Sequence, residues 1–114
     1  MNIYDVDKNT AFRHLVRHRE TAFCHNDLQS LGDAYENENK DWRTYYNSIL
    51  AVPIRYLSDD DSQFRFYGVL AIDSLNEKKI KDLFDVQCTD ILAHGADLLA
   101  TYFLILECSQ SVPM

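Results

Sequence analysis

Residues 48–74 read SILAVPIRYLSDDDSQFRFYGVLAIDS. Two apolar runs flank an acidic, serine-containing link, and a period of two runs through both. In the first run Leu50, Val52, Ile54 and Tyr56 share one face, while Ile49, Ala51 and Pro53 share the other. Both faces are apolar, so both are expected to be covered at that end. Pro53 cannot donate to a ladder and is expected at a bulge or toward an unpaired edge. In the second run Phe64, Phe66, Gly68, Leu70 and Ile72 alternate with Arg65, Tyr67, Val69, Ala71 and Asp73. The link of residues 58–62 is short enough for an antiparallel hairpin. Its Asp59-Asp60-Asp61 run reads as a solvated tip, not a metal site.

Downstream, Asp82 or Asp85 can start a long helix running to about Glu107. One row steps by four and three through Phe84, Cys88, Ile91, Gly95, Leu98, Tyr102 and Ile105. A second row, Leu92, Ala96, Leu99, Phe103 and Leu106, lies beside it, so the apolar stripe is wide. One sheet face need not cover both rows, and the second row is the candidate dimer interface. Upstream, Asn9 or Thr10 can cap a helix to about Arg19, with Ala11, Phe12, Leu15 and Val16 on one side. Residues 21–25 read as a short strand, and Asp27 or Ser30 can cap a helical turn. Residues 33–46, DAYENENKDWRTYY, mix polar groups with Tyr35, Trp42, Tyr45 and Tyr46 and predict a loop with a short helix near Trp42.

The 114 residues suit one domain, 1–114, with an N-terminal helical segment 1–19 and a core 20–108. The net charge of −7 disfavours nucleic acid and anionic membranes as partners. Cys24, Cys88 and Cys108 form no CxxC pair, so neither a zinc site nor a disulfide framework is suggested, and no cofactor is expected. The N-terminus carries no signal-peptide pattern. The most apolar window, residues 91–106, contains His94 and Asp97 and is too short to span a bilayer. These features predict a reduced, cytoplasmic, soluble chain with no membrane insertion.

The order of elements is distinctive: an aromatic, polar stretch, then YYNSILAVPI (45–54), an acidic turn, YGVLAIDS (67–74) and a long amphipathic helix. This resembles the C-terminal part of a GAF domain, in which a serine-containing strand ending in VPI pairs with a strand reading GVLxxDS. The likeness covers roughly residues 20–107. GAF domains begin with a helix and two further strands in the middle of the sheet. Here only about twenty residues precede the first strand, and they read as helix. The resemblance therefore implies an α+β, GAF-like antiparallel sheet, truncated to about three strands and packed against a long C-terminal helix. It also implies an uncovered edge at residues 67–73, which invites another chain.

GAF domains serve as small-molecule sensing or dimerisation modules, including in bacterial-type signalling proteins. The resemblance places a pocket between the sheet and its cover, residues 33–46. Tyr35, Asn37, Trp42, Tyr45, Tyr46, Ser48 and Asp73 are its candidate ligand-binding residues. Aromatics there can stack on a planar ligand, or they can plug a small core; small domains more often use them as core mass. Asp73 can face the pocket, or accept donors from the turn that follows it. The NKxnFxxxDE signature of cyclic-nucleotide-binding GAF domains is missing. The expected function is a non-enzymatic sensory or regulatory module, acting as a homodimer or with a covalently adjacent domain. The alternative is a structural interaction module with no small ligand. A second alternative, a free methionine sulfoxide reductase, needs an exposed Cys24 with another thiol in reach. His14 and His18 have metal-compatible spacing but read as a solvated basic face. His94 reads as a packed or boundary residue.

Overall fold

A computed structural model describes residues 8–57 and 64–111. The 58–62 link, its Asp59–Asp61 acidic run and the first seven residues lie outside the described residues. Helix α1 spans Thr10–Val16, followed by strand β1, Phe23–His25. A 3-10 segment, Leu28–Ala34, kinks at Gly32, whose φ of +56 a side chain would strain. Helix α2 is Trp42–Tyr45, strands β2 and β3 are Ser48–Leu57 and Phe64–Ser74, and helix α3 is Val86–Ser111.

The sheet is antiparallel with the order β1-β2-β3, and the long C-terminal helix packs on it, an α+β arrangement. Because side chains alternate across a strand, β2 feeds two layers. Val52 and Ile54 join Ala96 and Ala100 of α3. Ile49, on the opposite face, joins Ala11, Leu28, Tyr35 and Trp42. All the residues from 48 to 54 are buried, as expected of a strand apolar on both sides. Pro53 lies two residues beyond Ala51, where β1 stops pairing, and just before a register shift. A strand end and a bulge are the places where a missing donor is tolerated.

That bulge changes the second strand's faces. Ile54 pairs with Gly68, but Arg55 pairs with Phe66, so Tyr67 is extra. Tyr67 therefore joins Leu70 on the α3 side and packs its ring 5.4 Å from that of Phe103. Strict alternation had placed it on the other face; a bulge breaks the period of two.

The ends of α1 and α3 also differ from the spacing. Helix α1 stops at Val16, and the chain leaves through Arg19 at φ +55. Helix α3 starts after Asp85, whose carboxylate accepts the Cys88 N–H at 2.9 Å, and continues past Glu107 to Ser111. At the start of α1, Asn9 Oδ1 accepts the Phe12 N–H at 3.1 Å. Asn9→Ala is expected to cost about 1 kcal/mol. Urea unfolding should show a lower midpoint with an unchanged slope.

Candidate functional site

The cover over the sheet's first face is a plug. Tyr35 and Trp42 are each only 3% exposed. Their rings meet edge to face at 4.7 Å, and Trp42 lies 5.6 Å from Tyr46. Tyr35 and Tyr46 share a hydroxyl hydrogen bond of 2.9 Å, and Asn37 Nδ2 donates to Tyr46 Oη at 2.6 Å. Burial, then the Tyr35 hydrogen bond, push the Tyr46 hydroxyl far above its ordinary range; burial also raises Tyr35. Both phenols are therefore neutral core groups with their polar ends satisfied by each other. A cleft of about 780 Å³ touches Tyr35, Asn37 and Trp42, but it opens widely to solvent between Lys8, Glu36 and Lys40.

The other three ligand candidates do not join this cluster. Tyr45 is exposed. Asp73 is exposed too, opposite Ile49 on the cover side of the sheet. The following turn uses Ser74 instead, whose Oγ accepts the Asn76 N–H at 3.0 Å. Ser48 is fully buried on the α3 side, where its Oγ donates to the Asn26 carbonyl at 2.5 Å and accepts from Asn76 Nδ2 at 3.0 Å.

Ser48 belongs to a polar knot that the sequence reading missed. Asn76, itself buried, also donates to the Ile80 carbonyl and accepts the Ile80 N–H, both at 2.9 Å. Asn26 exchanges two hydrogen bonds with the Phe84 backbone. Asn47 Oδ1 accepts the Gln29 N–H at 2.7 Å. Asn26 and Asn76 thus tie the ends of β1 and β3 to the connector before α3, while Asn47 ties the start of β2 to the 3-10 segment. Scattered through the sequence, they share no period that would announce them. A hollow of about 460 Å³, edged by Lys79 and Lys81, opens beside them.

Cys24 is exposed, and its Sγ donates to the Phe84 carbonyl at 3.4 Å. Partial burial of the sulfur, then the neighbouring Cys88 and Asp85, raise its pKa. A thiol held in its protonated form is a poor nucleophile. His14 packs on Phe23 at 5.1 Å between ring centres and pairs with Glu20, so it is a packing residue as well as a surface one. No group of three potential metal ligands occurs among the described residues. His94 is exposed, not packed.

Helix α3 presents its faces the other way round from the expectation. Ala96 is buried in the sheet-facing core, and Leu92 and Phe103 pack against that core. Three of the five candidate dimer residues thus belong to the fold; Leu99 and Leu106 sit at its margin, partly exposed. The open row is the first one: Ile91 is 72% exposed, Leu98 73%, Tyr102 56% and Ile105 57%. Sheet-facing Ala96 and Ala100 are small, so α3 approaches β2 closely along that line, and the bulkier row is left aside. A Cβ on Gly95, in the same row, would stand 3.6 Å from Leu70 of β3. Gly95 therefore marks the β3-side flank of α3, and the open strip runs from that flank, at Tyr102, over the outer surface of the helix at Leu98. Beside that flank β3 is an edge strand, paired among the described residues with β2 alone, and Ile72 on its α3 face is half-exposed. At 26 residues, α3 is longer than the apolar window expected, and Val86–Gln110 is long and apolar enough to cross a membrane. Asp90, His94 and Asp97 form an exposed polar row along the opposite flank, where Asp97 acts on Arg55 of β2.

No family model, curated protein or solved structure matches the chain.

Proposed function

We propose that the protein is a non-enzymatic, GAF-like assembly module that docks protein through the β3 side of α3 and binds no small molecule under its cover. The plugged cover carries this reading over the sensory one. With Trp42 and Tyr35 buried and hydrogen bonding within the cluster, a planar ligand would have to displace core aromatics. The protonated Cys24 thiol weighs against the reductase alternative.

The test separates the two rows of α3. Leu98→Asp places a charge on the open strip and is expected to leave the far-UV circular dichroism unchanged. It should lower either the solution mass of concentrated protein or the binding of an apolar reporter dye by dilute protein. Ala96→Asp buries an unpaired charge against β2 and is expected to unfold the chain, since such a charge costs several kcal/mol, roughly the stability of a small domain. A folded Leu98→Asp protein matching wild type in both mass and dye binding sinks the reading.

A further inference from the structure

We infer that the partner is a second copy of this chain. It docks about a two-fold axis perpendicular to the sheet, with β3 antiparallel to its counterpart and the β3-side flanks of the two α3 helices face to face. This inference rests on the assembly reading above and names the partner of the same surface.

Two unsatisfied features lie on one side of the molecule. The first is the outer edge of β3, an eleven-residue strand that among the described residues is bonded only to β2. Its outward N–H and C=O groups can be matched along their length only by another strand. The second is the apolar strip on α3, whose row abuts β3 at Gly95 and Leu70. An occupant must therefore bring a strand and an apolar face together in the same relative position.

A second copy does so by symmetry. A two-fold axis at the β3 edge makes the paired strands antiparallel and merges two three-stranded sheets into six. It also keeps both α3 helices on the same face of that sheet, antiparallel, each turning its β3-side flank to the other. The contact is isologous and closed, so it stops at two chains. With strands about 4.8 Å apart, β2 and its counterpart lie about 14 Å apart, against about 8–10 Å for helices in direct contact. The large side chains on the facing flanks, Leu99, Tyr102 and Leu106, fill the difference, with Ile72 of β3 beneath them.

The area agrees. From their exposures, the strip with Leu99, Leu106 and Ile72 leaves about 700 Å² uncovered, taking large side chains at roughly 150–250 Å² each. That exceeds the patch of about 300–600 Å² usual on a monomer and approaches the 800 Å² or so that each partner gives a standard interface. The backbone edge of β3 adds to it. The acidic row of α3, Asp90 and Asp97, lies on the far side of the helix and stays in water. Each chain carries −7, so the long-range repulsion between copies is screened by salt.

The experiment combines solution mass with cysteine cross-linking on the full chain. Weak interfaces of this size have Kd values in the μM range, so mass is read from about 1 to about 100 μM. Wild type is expected to reach the mass of two chains, more readily at high salt, and Leu98→Asp to raise Kd by about 100-fold or more. Single cysteines are then placed at each position from 66 to 72, with Cys24, Cys88 and Cys108 replaced by serine. Facing residues of an antiparallel pair have Cβ atoms about 4.5–5.5 Å apart. Disulfide formation should therefore peak at one position and fall away on both sides.

Three results overturn the inference. In the first, wild type stays monomeric throughout; the assembly reading then stands or falls on whether Leu98→Asp lowers dye binding. In the second, a dimer cross-links through Leu98→Cys but at no position of β3, which leaves assembly intact without the shared sheet. In the third, wild type but not Leu98→Asp partitions into phosphatidylcholine vesicles, which makes the occupant of the strip lipid.

Discussion

Replacing Trp42 by alanine is expected to destabilise the protein by about 3–5 kcal/mol, the usual cost of emptying a large aromatic site in a core. The side chain is surrounded by Ala11, Leu28, Tyr35 and Ile49, and Tyr46 closes it from the side. Its removal would leave the Tyr35 ring without its edge-to-face partner and the layer over β2 hollow. Small domains hold about 5–15 kcal/mol in all. Much of the stability would go with one side chain, and partial unfolding at 37 °C should be visible. Trp42 is the sole tryptophan, so the variant must be followed by circular dichroism, not by fluorescence. Trp42→Phe retains an aromatic and should recover more than half of the loss. The same pair of variants decides between plug and lid. A lid over a ligand site could be removed at a cost below about 1 kcal/mol, as at a surface position. A result in that range would return the cover to the list of binding sites.

The hairpin was legible because its signal is strong and local. Alternation over residues 48–57 is shaped by two covered faces, and any one-residue slip would expose the whole set. The α3 helix was equally legible as an element. Its orientation was not. Both apolar rows have similar hydrophobicity, and periodicity cannot tell which one meets the sheet. Side-chain size settles it: Ala96 and Ala100 permit close approach to Val52 and Ile54, whereas the row through Ile91 and Leu98 is too bulky for that line. The candidate site failed in a similar way. Ser48 and Asp73 were grouped with the aromatics by their places in a familiar order of elements. The strand pleat sends Ser48 to the opposite face, and the turn chemistry falls to Ser74 and Asn76. Tyr67 was misplaced by a bulge that leaves no mark in residue type. Each miss concerns a relation between elements, which a linear pattern does not contain.

The second large effect is expected at Asn76, where no apolar pattern would have drawn notice. Its φ of +51 lies in the left-handed region, which asparagine tolerates and β-carbon-bearing residues generally avoid. Its Nδ2 reaches three acceptors, Asn26 O at 3.1 Å, Ser48 Oγ at 3.0 Å and Ile80 O at 2.9 Å, with only two hydrogens to share. Its Oδ1 takes the Ile80 N–H. Asn76→Ala leaves these partners in a site that water enters poorly. Each stranded group costs about 1–3 kcal/mol, and the left-handed backbone adds roughly 1–2. A total of about 3–5 kcal/mol is expected, with two of the stranded groups counted and partial relaxation allowed. Asn76→Gly should recover only the backbone part, about 1 kcal/mol. Asn76→Asp should do no better than alanine, because a carboxylate would face the Asn26 and Ile80 carbonyls and bring a charge into the buried knot. Denaturant unfolding of the three variants separates the terms. Amide exchange adds the location: Ile80 and Phe84, which end on Asn76 and Asn26, should lose protection before the β2–β3 ladder does. If Asn76→Gly instead equals wild type, the side-chain bonds contribute nothing net. The residue would then be held for its backbone conformation alone, and the connector would be fixed to the sheet by Asn26.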